Sequence, residues 1–181
     1  MPASRKRSLR QFYRAARRAL SEDCQRRHAR TVAEEISKRL ADDATVAAYL
    51  ARDGEVDLGN LIERCWQRGI SVAVPVLLHR EMRFAAYRRA EPLRANRFGI
   101  DEPSMPEFVT PDVVLTPLVA FDGQGHRLGM GGGYYDRYFN ATPIAKRIGI
   151  AHECQRADGL PSAPTDVALT DVVTENGWQS F

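Results

Sequence analysis

Cysteine is scarce in this chain and scattered. Cys24, Cys65 and Cys154 are the three among 181 residues, and no two share a C-x-x-C spacing. An odd, dispersed set argues against a disulfide framework and against a cysteine-built zinc site. Three reduced thiols are expected. His152-Glu-Cys154 matches the start of a zinc-deaminase signature, but no P-C-x-x-C follows, so that class is set aside. Long apolar runs are missing as well. Nothing approaches the roughly 20 residues that a spanning helix needs. The opening residues Met1-Pro-Ala-Ser-Arg-Lys-Arg7 lack the apolar core of a secretory signal. A cytoplasmic protein without a membrane partner is the expectation. Internal repeats, low-complexity tracts and clear linkers are also lacking, so residues 1–181 are read as one domain.

What is present is a globular composition with an uneven charge. Hydrophobic residues make up 44%, enough for one full-sized core. The net charge of +3 conceals an asymmetry, since residues 1–30 hold ten Lys/Arg against Glu22 and Asp23, a local +8. The other 151 residues therefore carry −5. A basic arm suits a polyanionic partner such as a nucleotide triphosphate or a nucleic acid, although most charge runs are solvated helix faces.

The periodicity predicts alternating elements. Leu9, Phe12, Tyr13, Ala16 and Leu20 form an apolar stripe that predicts a helix over 4–20. Ser21-Glu-Asp predicts a cap and a second helix to about Leu40. Thr45–Leu50 reads as a strand, Asp57–Gln67 as a helix and Ile70–Leu78 as a strand. Met82–Tyr87 follows as a strand paired with the one before it. Residues 91–111, rich in Pro and Gly, are expected to be irregular. Strands are then expected at 113–117, 147–151 and 167–174, with a helix over Tyr134–Asn140. Strand, helix, strand at this spacing implies a three-layer α/β/α domain with a mainly parallel, Rossmann-like sheet. Ligands of such sheets sit beyond the carboxyl ends of the strands. Glu55, Arg127, Asp136 and Asp166 all leave such ends and are expected to share one cleft.

Arg127-Leu-Gly-Met-Gly-Gly-Gly-Tyr-Tyr-Asp136 is the richest stretch. Glycine lacks a Cβ, so successive N–H groups can converge on one anion, and a helix opening there adds further donors. Arg127 supplies a fixed positive charge, and Asp136 has the chemistry of a Mg²⁺ ligand. The stretch is neither a P-loop, since no lysine and hydroxyl follow Gly133, nor a dinucleotide fingerprint, since Tyr134 stands where the last glycine belongs. A plain wide turn with Asp136 in a surface pair is the bland alternative.

Several segments, taken in order, resemble the 5-formyltetrahydrofolate cyclo-ligase (methenyltetrahydrofolate synthetase) family. They are Lys6-Arg-Ser-Leu-Arg10, Gly54-Glu-Val-Asp57, Pro75, Phe98-Gly-Ile-Asp-Glu-Pro103, Pro117-Leu-Val-Ala-Phe-Asp122 and Gly125-His-Arg-Leu-Gly-Met-Gly-Gly-Gly-Tyr-Tyr-Asp-Arg137, then Gln155, Leu160-Pro161, Asp166 and Val173-Thr-Glu-Asn-Gly177. The resemblance implies a ligase that closes 5-formyltetrahydrofolate to 5,10-methenyltetrahydrofolate using ATP and Mg²⁺. It implies small-molecule partners, no nucleic acid, and a monomer. It also implies site roles. Lys6, Arg7, Ser8, Leu9 and Arg10 match the ATP contact near the start. Arg127, Leu128, Gly129, Met130, Gly131, Gly132, Gly133, Tyr134 and Tyr135 match the nucleotide loop. Leu50, Glu55 and Met130 through Tyr134 match folate positions, and Asp136 and Asp166 the metal positions. Arg127 and Lys6 are the expected catalytic cations. Met130 and Gly132 stand where some members carry basic residues, so Arg127, Lys6, Arg10 and the metal must meet the phosphate charge.

Two other readings stay open at this point. One is a nucleic-acid binder gripping through the arginine-rich first helix, although only Phe12 and Tyr13 offer stacking there. The other is an ATP-dependent enzyme of the same fold that acts on a different metabolite.

Overall fold

A computed structural model describes residues 2–181, with side chains from Ser4 onward. Its centre is an eight-stranded sheet in the order β12-β11-β10-β7-β1-β2-β3-β6. The strands are β1 (Thr45–Ala47), β2 (Ser71–Leu78), β3 (Glu81–Ala86), β6 (Phe108–Val109), β7 (Val113–Pro117), β10 (Lys146–Ile150), β11 (Asp171–Thr174) and β12 (Gly177–Ser180). From β11 to β2 the pairing is parallel. Strands β12, β3 and β6 add antiparallel edges.

Side chains alternate across a strand, and the burial follows that rule. Val46, Val72, Leu115 and Ile148 face a cluster completed by Ala29, Val32 and Ile36 of α2 (Glu22–Ser37) and Leu61 and Cys65 of α3 (Gly59–Gln67). Their neighbours Ala47, Ala73 and Val114 face the opposite cluster, built with Phe84, Phe139 and Ile144. Phe139 belongs to α4 (Tyr134–Ala141). Two helices, a sheet and a helix make the three expected layers. Each fully buried Leu, Ile or Phe side chain contributes roughly 1.5–3 kcal/mol by leaving water. Among the described residues, no helix is long and apolar enough to cross a membrane.

Four expectations need correction. Residues 91–111 are irregular only in part: β4 (Leu93–Ala95) and β5 (Asp101–Pro103) form a hairpin, and β6 joins the sheet edge. Glu102 carries that hairpin inward, accepting from the Leu77 N–H at 2.9 Å and from Asn96 Nδ2 at 2.6 Å. The first strand stops at Ala47, because beyond it the chain turns into the cleft. The last expected strand begins only at Asp171, since the Val167 N–H is drawn to Asp136 instead. Finally, α1 (Pro2–Arg18) does not rest on its apolar stripe alone: Leu9, Tyr13, Ala16 and Leu20 are half-buried, and a basic row shares the inward side with them. Phe12 is 66% exposed, whereas Arg17 is fully buried. This helix lies over the polar rim where strands end, so it is the basic face that finds partners.

Candidate functional site

The inward face of α1 is set by helical spacing. Lys6, Arg10, Arg14 and Arg17 are separated by four, four and three residues, which stacks them on one side. Lys6 Nζ pairs with Asp166 Oδ2 at 2.9 Å. Arg10 Nε donates to the Gly129 carbonyl at 2.8 Å, and Arg14 Nε to Asp53 Oδ2 at 2.8 Å. Arg17 makes the densest set. Its guanidinium donates to the Asp53 carbonyl at 2.9 Å, the Leu118 carbonyl at 3.0 Å and Asp53 Oδ2 at 2.8 Å, and lies 3.6 Å from Glu55 Oε1. Arg18 also pairs with Asp53. Asp53 sits at φ +56°, a left-handed conformation that Asp tolerates better than most residues. The loop after β1 is thus clamped to α1 by three arginines.

The glycine loop forms the opposite wall. A small hairpin of β8 (Ala120–Phe121) and β9 (Arg127–Leu128) leads into it. Arg127 has only 6% of its side chain exposed; its Nη2 donates to Asp136 Oδ1 at 2.6 Å, another N–H reaches the Val167 carbonyl, and the guanidinium lies 5.2 Å from the Phe139 ring centre. Burial lowers the Arg127 pKa, with Asp136 opposing the drop. Gly131 at φ +103° and Gly133 at φ +66° occupy backbone regions that L side chains rarely adopt. Gly133 is the N-cap of α4, and no side chain caps that helix. Its first-turn N–H groups are left for a ligand or water.

Between these walls lies a cavity of 730 Å³, lined by Lys6, Arg10, Arg14, Arg17, Arg52 and Arg127 on its cationic side. Leu50, Pro75, Leu77, Phe98, Ile100, Met130, Tyr134 and Tyr135 supply apolar and aromatic surface. Glu55 lines the cavity as well, 3.6 Å from the Arg17 guanidinium. Burial holds the Glu55 carboxyl above the usual carboxylate range, and Arg17 pulls the other way. The Tyr135 hydroxyl is buried and has no hydrogen-bond partner among the described residues. A buried hydroxyl without a partner, on a residue that lines a cavity, is satisfied when a ligand or water moves in beside it. Burial would raise the Asp166 pKa, but the Lys6 ammonium, the Ala163 N–H and Arg127 outweigh it and lower it.

Glu55, Arg127, Asp136 and Asp166 do converge, as their positions at strand ends predicted. Leu50, Lys6, Arg10 and the run Arg127 through Asp136 line the same cavity. Arg7, Ser8 and Leu9 do not line it, and Arg7 and Ser8 are exposed. A contiguous motif on a helix cannot put every member on one side, because each residue turns by about 100°. The sequence reading missed Arg14, Arg17 and Arg52. The four-four-three spacing of Arg14 and Arg17 with Lys6 and Arg10 is visible in the sequence of α1, whereas nothing local marks Arg52. Asp136 and Asp166 offer hard carboxylate oxygens suited to a divalent cation. Asp136 Oδ2 and Asp166 Oδ1 accept no hydrogen bond among the described residues, whereas their other oxygens are engaged.

A parallel-centred α/β sheet, with a cationic and aromatic cleft beyond its strand ends, defines a small-molecule enzyme of the open α/β class. Comparison with known proteins narrows this. The model of the 5-formyltetrahydrofolate cyclo-ligase family matches residues 2–175. The 5-formyltetrahydrofolate cyclo-ligase of Escherichia coli (strain K12) is 43% identical over 140 residues, covering 72% of this chain and 77% of that protein. The NMR structure of Aquifex aeolicus 5,10-methenyltetrahydrofolate synthetase superposes with a TM-score of 0.85 at 31% identity, covering 97% of this chain and 92% of that one. The Mycoplasma pneumoniae 5,10-methenyltetrahydrofolate synthetase gives a TM-score of 0.78 at 25% identity, covering 94% and 98%. The chain belongs to the 5-formyltetrahydrofolate cyclo-ligase family, a family of ligases.

Proposed function

We propose that this protein closes 5-formyltetrahydrofolate to 5,10-methenyltetrahydrofolate at the expense of ATP, releasing ADP and phosphate. The observation that carries the reading is one cavity with two chemistries. Arg10, Lys6 and Arg127 in its lining suit a polyphosphate; Glu55, Leu50 and the aromatic groups in the same lining suit a flat, hydrogen-bonding heterocycle.

The chemistry asks for such an arrangement. An N-formyl oxygen is a poor leaving group. Transfer of the γ-phosphoryl to that oxygen breaks the bond to the β-phosphate and yields ADP. The folate N10 then attacks the activated carbon, the C–O bond breaks, phosphate departs, and the N10 proton is released. The protein's part is positioning and charge neutralisation. Arg127 and Lys6 are assigned to the transferring phosphoryl group. Arg10 and the loop Gly129–Gly133 are assigned to the rest of the triphosphate, and Tyr134 and Tyr135 border both ligands. Leu50 and Glu55 orient the folate ring.

Magnesium, when bound, supplies charge neutralisation between the phosphates. Asp136 and Asp166 are the residues that fit it, through the carboxylate oxygens that no other described residue engages. Arriving phosphates compete for Arg127 and Lys6, which loosens both pairs and frees more carboxylate.

Purified protein given 5-formyltetrahydrofolate and Mg-ATP should build the near-ultraviolet band of the methenyl product, and omitting either ATP or Mg²⁺ should stop it. Folded protein that binds ATP yet forms no product in this assay would refute the substrate and keep the phosphate site.

A further inference from the structure

Outside the cleft, three titratable side chains meet that the proposed reaction does not use. His28 comes from the first half of α2, His152 from the loop after β10, and Glu175 from the turn between β11 and β12. One ligand atom from each lies within 4.8 Å of the others. His28 Nδ1 is 2.9 Å from His152 Nδ1 and 3.4 Å from Glu175 Oε1. Tetrahedral zinc–imidazole bonds of about 2.05 Å put neighbouring ligand atoms about 3.3 Å apart, so the two spacings from His28 are close to those around a bound ion, and the spread of up to 4.8 Å across the triad has to close as the ion enters.

The surroundings orient these groups as ligands. His152 Nε2 lies 3.2 Å from the Gly54 carbonyl, which can only accept, so this nitrogen carries the proton. The lone pair is therefore on Nδ1, aimed at His28. The Glu153 N–H donates to Glu175 Oε2 at 3.0 Å, which leaves Oε1 turned to the imidazoles. A backbone carbonyl on the far nitrogen of a histidine and a donor on the far oxygen of a carboxylate are the usual outer partners of metal ligands. His152 is fully buried, whereas the side chains of His28 and Glu175 are 17% and 19% exposed, which leaves an entry path and room for water.

We propose that His28 Nδ1, His152 Nδ1 and Glu175 Oε1 bind one divalent transition-metal ion of the zinc class, with water in the fourth position. Two imidazoles and one carboxylate are borderline donors that favour zinc over magnesium. The ion takes the place of the proton shared between the two imidazoles. It ties α2 to the ends of β10 and β11, and through Gly54 to the loop that carries Asp53 and Glu55. The site is independent of the proposed reaction and of Asp136 and Asp166.

Titration calorimetry of the chelator-treated full chain with zinc chloride, in excess Mg²⁺, should find one equivalent bound. His28→Ala and Glu175→Gln should each weaken it by about tenfold or more, as loss of a ligand or its support does. Long-range imidazole nitrogen NMR of the wild type should show His28 and His152 shifting with zinc while His79 and His126 stay put. This spectrum needs no variant to fold. Absence of zinc binding, unchanged affinity in both variants, or shifts at His79 and His126 alone would overturn the proposal.

Discussion

Arg17→Met puts the role of the buried arginine to the test. Methionine approximates the apolar stem, so no large cavity opens, but every guanidinium bond is lost. The Leu118 carbonyl keeps the Gln155 side-chain amide at 2.8 Å, and the Asp53 carboxylate keeps Arg14. The Asp53 carbonyl loses its side-chain donor, and the enclosed Glu55 loses the cation at 3.6 Å. An orphaned buried acceptor costs roughly 1–3 kcal/mol, and breaking a buried pair roughly 3–5 in total. The expected loss is therefore about 3–5 kcal/mol, or roughly 6–20 °C in Tm for a chain of this size. Arg17 also acts against the burial that raises Glu55. Without it the Glu55 pKa rises further, so less of the carboxylate is ionised at a given pH. If Glu55 holds the folate as an anion, the acid limb of KM for the folate moves to higher pH. Urea unfolding followed by tryptophan fluorescence gives the first quantity, and KM against pH gives the second. A loss under about 1 kcal/mol, the range of an exposed ion pair, together with an unmoved limb would show that Arg17 is neither clamp nor tuner.

Arg127→Ala should lower turnover by about 10²–10³-fold, the effect of removing one charge-stabilising donor, and near wild-type turnover would remove it from the phosphoryl site. Lys6→Ala and Arg10→Ala should raise KM for ATP more than KM for the folate, and equal changes in both would contradict the division of the cavity. Tyr135→Phe deletes a hydroxyl with no partner, so stability should stay within about 0.5 kcal/mol or improve while KM for a substrate rises; a clear loss of stability would reveal a structural bond instead. Burial first, then His28, lowers the His152 pKa from 6.5 to about 4. In chelated protein the unfolded state takes up this proton first as pH falls. His152 therefore contributes stability fully present above pH 6.5 and lost on the way down to about 4, at most about 3 kcal/mol. Urea unfolding between pH 4 and 7 should show that loss in the wild type and a smaller one in His152→Asn, and parallel curves would contradict it.

Much of the architecture was legible in the chain itself. The short apolar runs of Thr45–Ala47 and Val113–Pro117, the Ser21 cap and the strand-helix-strand rhythm are local properties, fixed by side-chain character and backbone hydrogen bonding. The glycine loop was legible for the same reason, since glycine adopts the positive φ of Gly131 and Gly133 at least cost. The resemblance added the order of the pieces. What the sequence alone could not decide was which side of α1 faces inward. By composition the apolar stripe alone should have faced inward. It is half-buried with Phe12 left out, because Asp53, Glu55, Asp166 and two backbone carbonyls wait at the strand ends and draw the basic row in beside it. Likewise, His28, His152 and Glu175 are far apart in the chain and meet only because α2 packs over β11 while the loops after β10 and β11 turn to the same side. Periodicity reports the neighbours of a residue along its own element, whereas charge partners and ligand clusters are set between elements, by packing that only the folded chain supplies.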